Sequence, residues 1–266
     1  MGTGLVVLYC SRVIQRMATK DGYLKVYNGF CSHDNYNEVF PATFSKLSSE
    51  LDLGWVKSCL MVGPGDGHYE LQFLDQCVPN VSKIIAVEPD QESAECLRPR
   101  LRDRPPGVDT HMIECNIQSW QGPADRVDLV LMMHVLYYFR PSERRELFKK
   151  LYRRWLGTGG LTIVVSSSRT KCPGNANELY ARLGTPMTAW EDIEADLVEV
   201  GFIKQYAHEM QYSRDFSSPD ESFLRFYQKH IEQPVTLDDV RNAIKELFPD
   251  GKSDQVFYTF AVFQRS

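Results

Sequence analysis

The chain has 266 residues, of which 43% are hydrophobic and 24% are charged, and its formal net charge at pH 7 is −5. This is the composition of a globular protein with enough apolar residues for a sizeable core, and the length fits a single domain over residues 1–266. The acidic balance argues against a polyanion such as DNA or RNA as the partner.

Seven cysteines are scattered along the sequence without any C-x-x-C spacing. Several lie in apolar runs, where a free thiol acts as a small hydrophobic side chain, so we expect a reducing compartment and no structural metal. The apolar run near the amino terminus is too short for a signal peptide, and no stretch is long and apolar enough to span a bilayer. We therefore expect a cytoplasmic protein without membrane contacts, acting as a monomer.

From Trp55 onward, apolar runs that end at glycine or at an acid alternate with segments of helical periodicity. Strands are predicted at Trp55–Gly63, Ser82–Asp90, Gly107–Asn116, Val127–Phe139 and Gly159–Ser168. Helices are predicted at His68–Val78, in QESAECLRPRL and at Pro141–Gly160. This alternation implies right-handed crossovers and an α/β fold with a mostly parallel, doubly wound sheet.

Beyond Ser168 the rhythm changes. The segments NANELYARLG, TAWEDIEADLVEVG, SPDESFLRFYQKHIEQ and LDDVRNAIKELF have the pattern of helices. FIKQYAHEMQY and DQVFYTFAVFQRS alternate aromatic and polar residues, as strands do. These two strands would bring the sheet to seven and form its antiparallel edge, with Phe216 to Asp254 as an insertion over the top of the sheet.

The turn after the first strand is rich in glycine. In open α/β sheets ligands bind outside the carboxyl ends of the strands, and Gly63, Gly65 and Gly67 let the backbone turn and approach a ligand there. A glycine-rich turn alone is weak evidence. Glu88 strengthens it, because it ends the second strand about 20 residues later, where an acid binds a ribose.

Two classes of cofactor use this arrangement. A dinucleotide requires G-x-G-x-x-G with phosphate at the helix amino end, but His68 replaces the last glycine. Asp66 and Glu70 would also repel a pyrophosphate. S-adenosylmethionine carries no phosphate, so the sequence favours this cofactor over NAD.

The combination GPGDGHYELQFL, VEPD, MMHVLYYF and IVVSSS resembles the histamine N-methyltransferase family of class I S-adenosylmethionine-dependent enzymes. The resemblance extends over nearly the whole chain from about Asp21 and is strongest from Cys59 to Ser168. It implies a Rossmann-like methyltransferase domain with a small helical elaboration, whose substrate-binding elements come from about 18–50 and 170–255.

The resemblance also implies which residues hold the cofactor. Gly63 would approach its methionine part, Glu88 would accept hydrogen bonds from the ribose hydroxyls, and Met133 would cover the ring or the ribose. Asn116 or Ile117 would flank the adenine. The implied cofactor residues are Gly63, Gly65, Gly67, Glu88, Ser93, Asn116, Ile117 and Met133, with Ser93 in the place of a family glutamine.

The family binds an amine between aromatic residues and a carboxylate near the amino terminus. Tyr23, Tyr27 and Phe30 fall on one helix face, and Asp34 follows in the position resembling the ammonium-binding acid. Read on their own, the three rings have a second interpretation as a core stripe, and Asp34 as a helix cap.

Further substrate contacts are implied at the end of the fourth strand and downstream. Tyr137 and Tyr138 match the family, whereas His134 stands where the family has glutamine. Tyr180 lies on the helix that covers the substrate in the family, and Asp254 and Gln255 are the candidates for the polar residue that precedes the family's final strand.

Methyl transfer from a sulfonium is an in-line displacement that needs a neutral nucleophile and the exclusion of water. We expect Asp34 to hold the ammonium of a small amine, and His134, Tyr137 and Tyr138 to orient the acceptor nitrogen or receive its proton. Two alternatives stay open. The acceptor is another small nucleophile, such as an imidazole dipeptide or another biogenic amine, or the protein is a non-catalytic cofactor-binding homologue.

Overall fold

A computed structural model describes residues 22–168, 176–185, 187–231 and 233–266, without the side chains of residues 176, 177 and 254–257. The parts of the predicted substrate-binding elements at 18–21 and 170–175 lie outside the described residues, as does the side chain of Gln255. The helices are α1 (Tyr23–Cys31), α2 (Tyr36–Glu50), α3 (His68–Cys77), α4 (Gln91–Arg102), α5 (Pro141–Lys150), α6 (Ala176–Arg182), α7 (Trp190–Val200), α8 (Glu221–His230) and α9 (Leu237–Leu247). The strands are β1 (Ser58–Val62), β2 (Lys83–Val87), β3 (Asp109–Ile113), β4 (Val127–Met133), β5 (Leu156–Ser167), β6 (Phe202–Asp215) and β7 (Lys252–Arg265).

The strands form one seven-stranded sheet in the order β3-β2-β1-β4-β5-β7-β6. The first five are mutually parallel, and β7 runs antiparallel between β5 and β6. This confirms the predicted fold class. Strand order reverses at β1, which lies between β2 and β4, so the carboxyl ends of these strands form the crevice where such folds bind ligands.

Apolar residues on both faces explain why the central strands are continuous hydrophobic runs. Along β4, Leu129 and Leu131 pack into the core on one face of the sheet, with helices α2 and α3. Val130 and Met132 pack into the core on the other face, with α5 and α7. Parallel strands that are covered on both faces lose the alternation of polar and apolar residues.

A third apolar cluster joins α1 to the helices of the downstream insertion, α6, α8 and α9. Phe30 of α1 stacks on Phe226 of α8, with 3.9 Å between the ring centroids, and lies 5.7 Å from the ring of Phe223. The chain therefore carries a small helical layer beside the sheet, built from its amino-terminal and downstream segments together.

Several predicted boundaries are wrong: β6 continues to Asp215 and β7 begins at Lys252, so the insertion ends before Asp254. Two further differences have a clear local cause. The helix that begins at Pro141 does not reach Gly160: a π-helical turn at Leu151–Trp155 follows α5, and β5 begins at Leu156, which pairs with β4. The fourth strand ends before Phe139, because His134 has a left-handed backbone (φ 55°) that breaks the extended conformation. A short 3₁₀ turn, Leu136–Tyr138, follows.

Candidate functional site

The glycine turn after β1 is held in a left-handed backbone. Gly63, Gly65 and Gly67 have φ values of 58°, 61° and 74°. A Cβ on Gly63 would collide with Val135, and one on Gly67 with Leu97, whereas a Cβ on Gly65 would meet nothing within 4 Å. Packing therefore requires glycine at two of these positions, and the third faces open space.

Glu88 stands directly after β2 and is 5% exposed. Its Oε2 accepts a hydrogen bond from the Gly65 N–H at 2.8 Å, and its Oε1 accepts one from the Asp90 N–H at 2.8 Å. Desolvation raises the pKa of the Glu88 carboxyl to about 7. Since a carboxylate oxygen has more than one acceptor position, both oxygens can still receive a ligand hydroxyl.

A cavity opens at the carboxyl ends of β1, β2 and β4, and we call it the cofactor cavity. Its lining includes Tyr23, Gly63, Gly65, Glu88, Asn116, Ile117, His134 and Tyr138, and its continuation over the glycine turn includes Met133. Apolar side chains, with the carboxylates of Glu88 and Asp90 at one side, suit a nucleoside.

The amino end of α3 does not offer a phosphate site. The carboxylate of Asp66 accepts a hydrogen bond from the His68 N–H at 3.1 Å, so an anion of the chain itself already occupies this position. Glu70, in the same helical turn, is also buried beside the cavity. A pyrophosphate would be repelled here, which agrees with the prediction of a cofactor without phosphate.

Two predicted cofactor residues do not line the cavity. Gly67 is the residue before α3, and its lack of a side chain leaves room for Leu97. Ser93 is fully buried in the first turn of α4, where its N–H donates to the capping carboxylate of Asp90. Ser93 is therefore absent from the lining of the cofactor cavity.

A second cavity, which we call the acceptor cavity, lies between α1, the end of β4 and α8. Its lining includes Tyr27, Phe30, Asp34, Tyr36, His134, Tyr137, Tyr180, Arg214, His230 and Tyr258. His134 lines the acceptor cavity and the cofactor cavity, so the two spaces meet at this side chain. The predicted helix face is present, since the rings of Tyr23 and Tyr27 stack at 5.8 Å.

His134 is held as a neutral imidazole at the junction of the cavities. Its Nε2 is hydrogen-bonded to the Tyr36 hydroxyl, and its ring meets those of Tyr36 and Tyr258 edge-on. Desolvation, with the charge of Arg214 as a second cause, lowers the pKa of His134 to about 3. A strained non-glycine backbone at such a position is a common feature of functional sites.

Asp34 is not an unpaired acid. The Arg214 guanidinium donates to Oδ2 of Asp34 from Nη2 at 2.6 Å and from Nε at 3.3 Å. The pair is buried, since the side chain of Arg214 is 2% exposed and that of Asp34 is 1% exposed. The Oδ1 atom accepts the Tyr36 N–H at 3.1 Å. The predicted ammonium site therefore contains a cation that the sequence prediction did not include.

Eight lining residues of the acceptor cavity were not predicted from the sequence, and four of them carry polar groups that bear on its chemistry: Tyr36, Arg214, His230 and Tyr258. The sequence carried no signal for Arg214, because the predicted strand ended at Tyr212, whereas β6 continues to Asp215 through an irregularity between Tyr212 and Arg214. Their side chains are in contact, with the Tyr212 hydroxyl 3.2 Å from Arg214 Nη2.

Residues 59–160 match the family model described as "Methyltransferase domain". No curated protein matches the sequence significantly. Solved structures with a similar fold include the N-methyltransferase NodS from Bradyrhizobium japonicum in complex with S-adenosyl-L-homocysteine (14% identity, 97% of each chain covered, TM-score 0.56). An S-adenosylmethionine-dependent methyltransferase from Leishmania major is also similar (11% identity, 96% of this chain and 82% of that chain, TM-score 0.60).

The [4+2]-cyclase SpnF has the same fold (15% identity, 85% of this chain and 80% of that chain, TM-score 0.56). At such identities the likeness concerns the fold, so the reaction has to be argued from the site.

We predict that Gly65→Ala weakens binding of S-adenosylhomocysteine about tenfold or more, because the new methyl group enters the space for the ligand. The matched control is Gly107→Ala, since Gly107 also has a positive φ (97°) and open space around its Cβ position. Both variants should lose about 1–2 kcal/mol of unfolding free energy, and only the first should lose affinity in calorimetry. Equal affinities in the two variants would contradict the placement of the ligand at Gly65.

We also predict that S-adenosylhomocysteine binds about tenfold more tightly at about pH 8 than at about pH 6. Ribose hydroxyls donate to the carboxylate form of Glu88, and its pKa of about 7 keeps much of the group protonated at the lower pH. Binding must therefore release a proton, which calorimetry in buffers of different ionisation enthalpy measures. The Glu88→Gln variant should bind S-adenosylhomocysteine more weakly and without this pH dependence. If the variant keeps the full pH dependence, a group other than Glu88 causes it.

Within the described ranges, no group of histidine, cysteine and acidic residues is suited to hold a metal ion. None of the described helices has both the length and the apolar character needed to cross a bilayer. The open space at Gly65, the free acceptor positions of Glu88 and the carboxylate at the amino end of α3 together fit a nucleoside cofactor without phosphate. The protein therefore has the α/β Rossmann-like fold of methyltransferases, with a methyltransferase domain matched over residues 59–160 and a cavity suited to S-adenosylmethionine.

Proposed function

We propose that the protein methylates a nitrogen atom of a small, histamine-like amine. The observation that carries this proposal is that His134 lines both the cofactor cavity and the acceptor cavity, so a guest in the acceptor cavity would lie next to the cofactor. We further propose that the elements from about 18–50 and 170–255 bind this substrate within a single domain.

Bound S-adenosylmethionine supplies a methyl group on a positively charged sulfur, and the acceptor nitrogen must offer a lone pair. Desolvation in the acceptor cavity favours the neutral form of a base, and the lowered pKa of His134 indicates how strong this effect is. A bound imidazole would experience the same environment and lose its proton. The cavity would thus select the reactive form of its guest.

This argument favours an imidazole ring nitrogen over an alkylamine nitrogen. An imidazole has an ordinary pKa of about 6.5 and is mostly neutral at neutral pH, whereas an alkylamine near 10 must give up a proton at a much larger cost. As the nitrogen–carbon bond forms, the carbon–sulfur bond breaks with its electron pair staying on sulfur. The proton on the other ring nitrogen then leaves to water.

The aromatic residues of the helical layer are suited to hold a planar or cationic guest. We propose that Tyr23, Tyr27, Phe30, Tyr137 and Tyr180 contact the substrate, each cation–π contact contributing on the order of 0.5–2 kcal/mol. His134 would orient the acceptor nitrogen rather than take its proton, because the pKa of about 3 makes it a weak base. Tyr137 and Tyr138 would complete this orientation.

Asp34 lines the acceptor cavity, and we propose that it binds the substrate's ammonium through Oδ1, which among the described residues accepts the Tyr36 N–H. Arg214 already neutralises the carboxylate, so the contact is weaker than that with an unpaired acid. The role of Gln255 as a substrate contact, a cytoplasmic location, a monomeric state and the absence of nucleic-acid and membrane partners also stay proposals.

The proposed reaction is tested with S-adenosylmethionine carrying a labelled methyl group and a panel of acceptors. We predict transfer to histamine on a ring nitrogen, with little transfer to alkylamines that lack an imidazole. Transfer to an imidazole dipeptide or another biogenic amine would instead support the alternative substrates. Cofactor binding without transfer to any acceptor would support the non-catalytic alternative.

The Asp34→Asn variant tests the contact between Asp34 and the ammonium, and a substrate without an ammonium group serves as the control. We predict that KM for histamine rises about tenfold, while KM for methylimidazole, which has the ring but no ammonium, changes less than about threefold. The comparison is needed because removal of one partner of a buried ion pair destabilises a protein by about 3–5 kcal/mol. Equal losses for the two substrates would mean that Asp34 only supports the fold.

A further inference from the structure

His230, the last residue of α8, has a defined tautomer. Its Nδ1 lies 2.7 Å from the Phe226 carbonyl oxygen, which can only accept, so Nδ1 carries the hydrogen. Desolvation lowers the pKa of His230 to about 4, which makes the ring neutral at neutral pH. Its Nε2 is therefore an acceptor, and it lies 3.0 Å from the Tyr138 hydroxyl.

This tautomer fixes the direction of a chain of hydrogen bonds. Tyr138 must donate its only hydroxyl hydrogen to His230, so it accepts from the Tyr23 hydroxyl, which lies 3.1 Å away. The hydroxyl hydrogen of Tyr23 is then bonded to the Tyr138 oxygen. The Tyr23 oxygen can therefore offer only lone pairs to any other group. Without the acceptor at His230, either tyrosine could be the donor.

The chain links three elements that are far apart in the sequence. Tyr23 belongs to α1, Tyr138 to the 3₁₀ turn after β4, and His230 to the downstream insertion. Tyr23 lines the cofactor cavity both at the nucleoside and over the glycine turn, and His230 lines the acceptor cavity. The position of the ring proton of His230, beside the acceptor cavity, thus determines whether Tyr23 presents an oxygen lone pair or a hydroxyl hydrogen to the cofactor cavity.

We propose that His230 is a positioning residue which, through Tyr138, makes Tyr23 present an oxygen lone pair rather than a hydrogen to the reacting groups. The proposal rests on the proposed function. Positive charge is spread over the methyl group in transfer, and an oriented oxygen stabilises this charge, whereas a hydroxyl hydrogen would oppose it. Preorientation also removes the cost of turning the hydroxyl during the reaction.

A matched pair of substitutions separates the two nitrogens of His230. His230→Gln can place an oxygen acceptor near the position of Nε2, and His230→Asn can place an N–H donor near that of Nδ1 but no acceptor toward Tyr138. We expect His230→Asn to lower kcat about tenfold, the worth of one hydrogen bond, with KM for the acceptor changed less than about threefold. We expect His230→Gln to restore most of kcat.

The same pair in a Tyr138→Phe background shows whether the effect passes through Tyr138. The difference in kcat between the asparagine and glutamine variants should then disappear. Equal kcat values for the two variants with Tyr138 present, or a difference that persists without it, would overturn the proposal.

Nitrogen NMR of the histidine side chains provides a test that does not need activity. At neutral pH, His230 should have a protonated Nδ1 and an unprotonated Nε2, and a protonated Nε2 would overturn the proposal. If no acceptor is methylated, the proposed function fails, while this spectrum still decides the tautomer.

Discussion

Desolvation at the carboxyl end of β4 is the constraint on which the site depends. The strand leaves the sheet at His134, whose left-handed backbone places an imidazole where the two cavities meet, among the rings of Tyr36 and Tyr258. In this environment a base loses its proton. The methyl transfer to nitrogen that we propose requires this state, so the surroundings would prepare the acceptor without a strong general base.

The buried pair of Asp34 and Arg214 has two effects on this environment. It ties the loop before α2 to β6, and it keeps the acceptor cavity close to electrically neutral. An unpaired carboxylate would attract an ammonium strongly, but it would also stabilise the protonated form of the nucleophile. In the proposed function, a neutralised carboxylate would let the site bind a basic guest through aromatic faces while the reacting nitrogen stays unprotonated.

Most of the fold and part of the candidate site could be predicted from local sequence patterns. The buried run of β4 and the glycine turn could be read directly, and the periodicity of α1 placed Tyr23 and Tyr27 on one face. Pairings between distant residues could not be read, because Arg214 is 180 positions from Asp34 and His230 is 92 positions from Tyr138. The prediction of Ser93 as a cofactor residue has a different weakness. Ser93 lies in the first turn of α4, which Asp90 caps, and a motif does not tell which way a helical residue faces about the helix axis.

The acceptor nitrogen is expected to be unprotonated when it is bound. Nitrogen NMR measures this on ring-labelled histamine bound to the protein together with S-adenosylhomocysteine. The pKa of the bound imidazole should fall clearly below its ordinary value of about 6.5, as that of His134 does. A bound ring with a pKa at or above the value of free histamine would contradict the account.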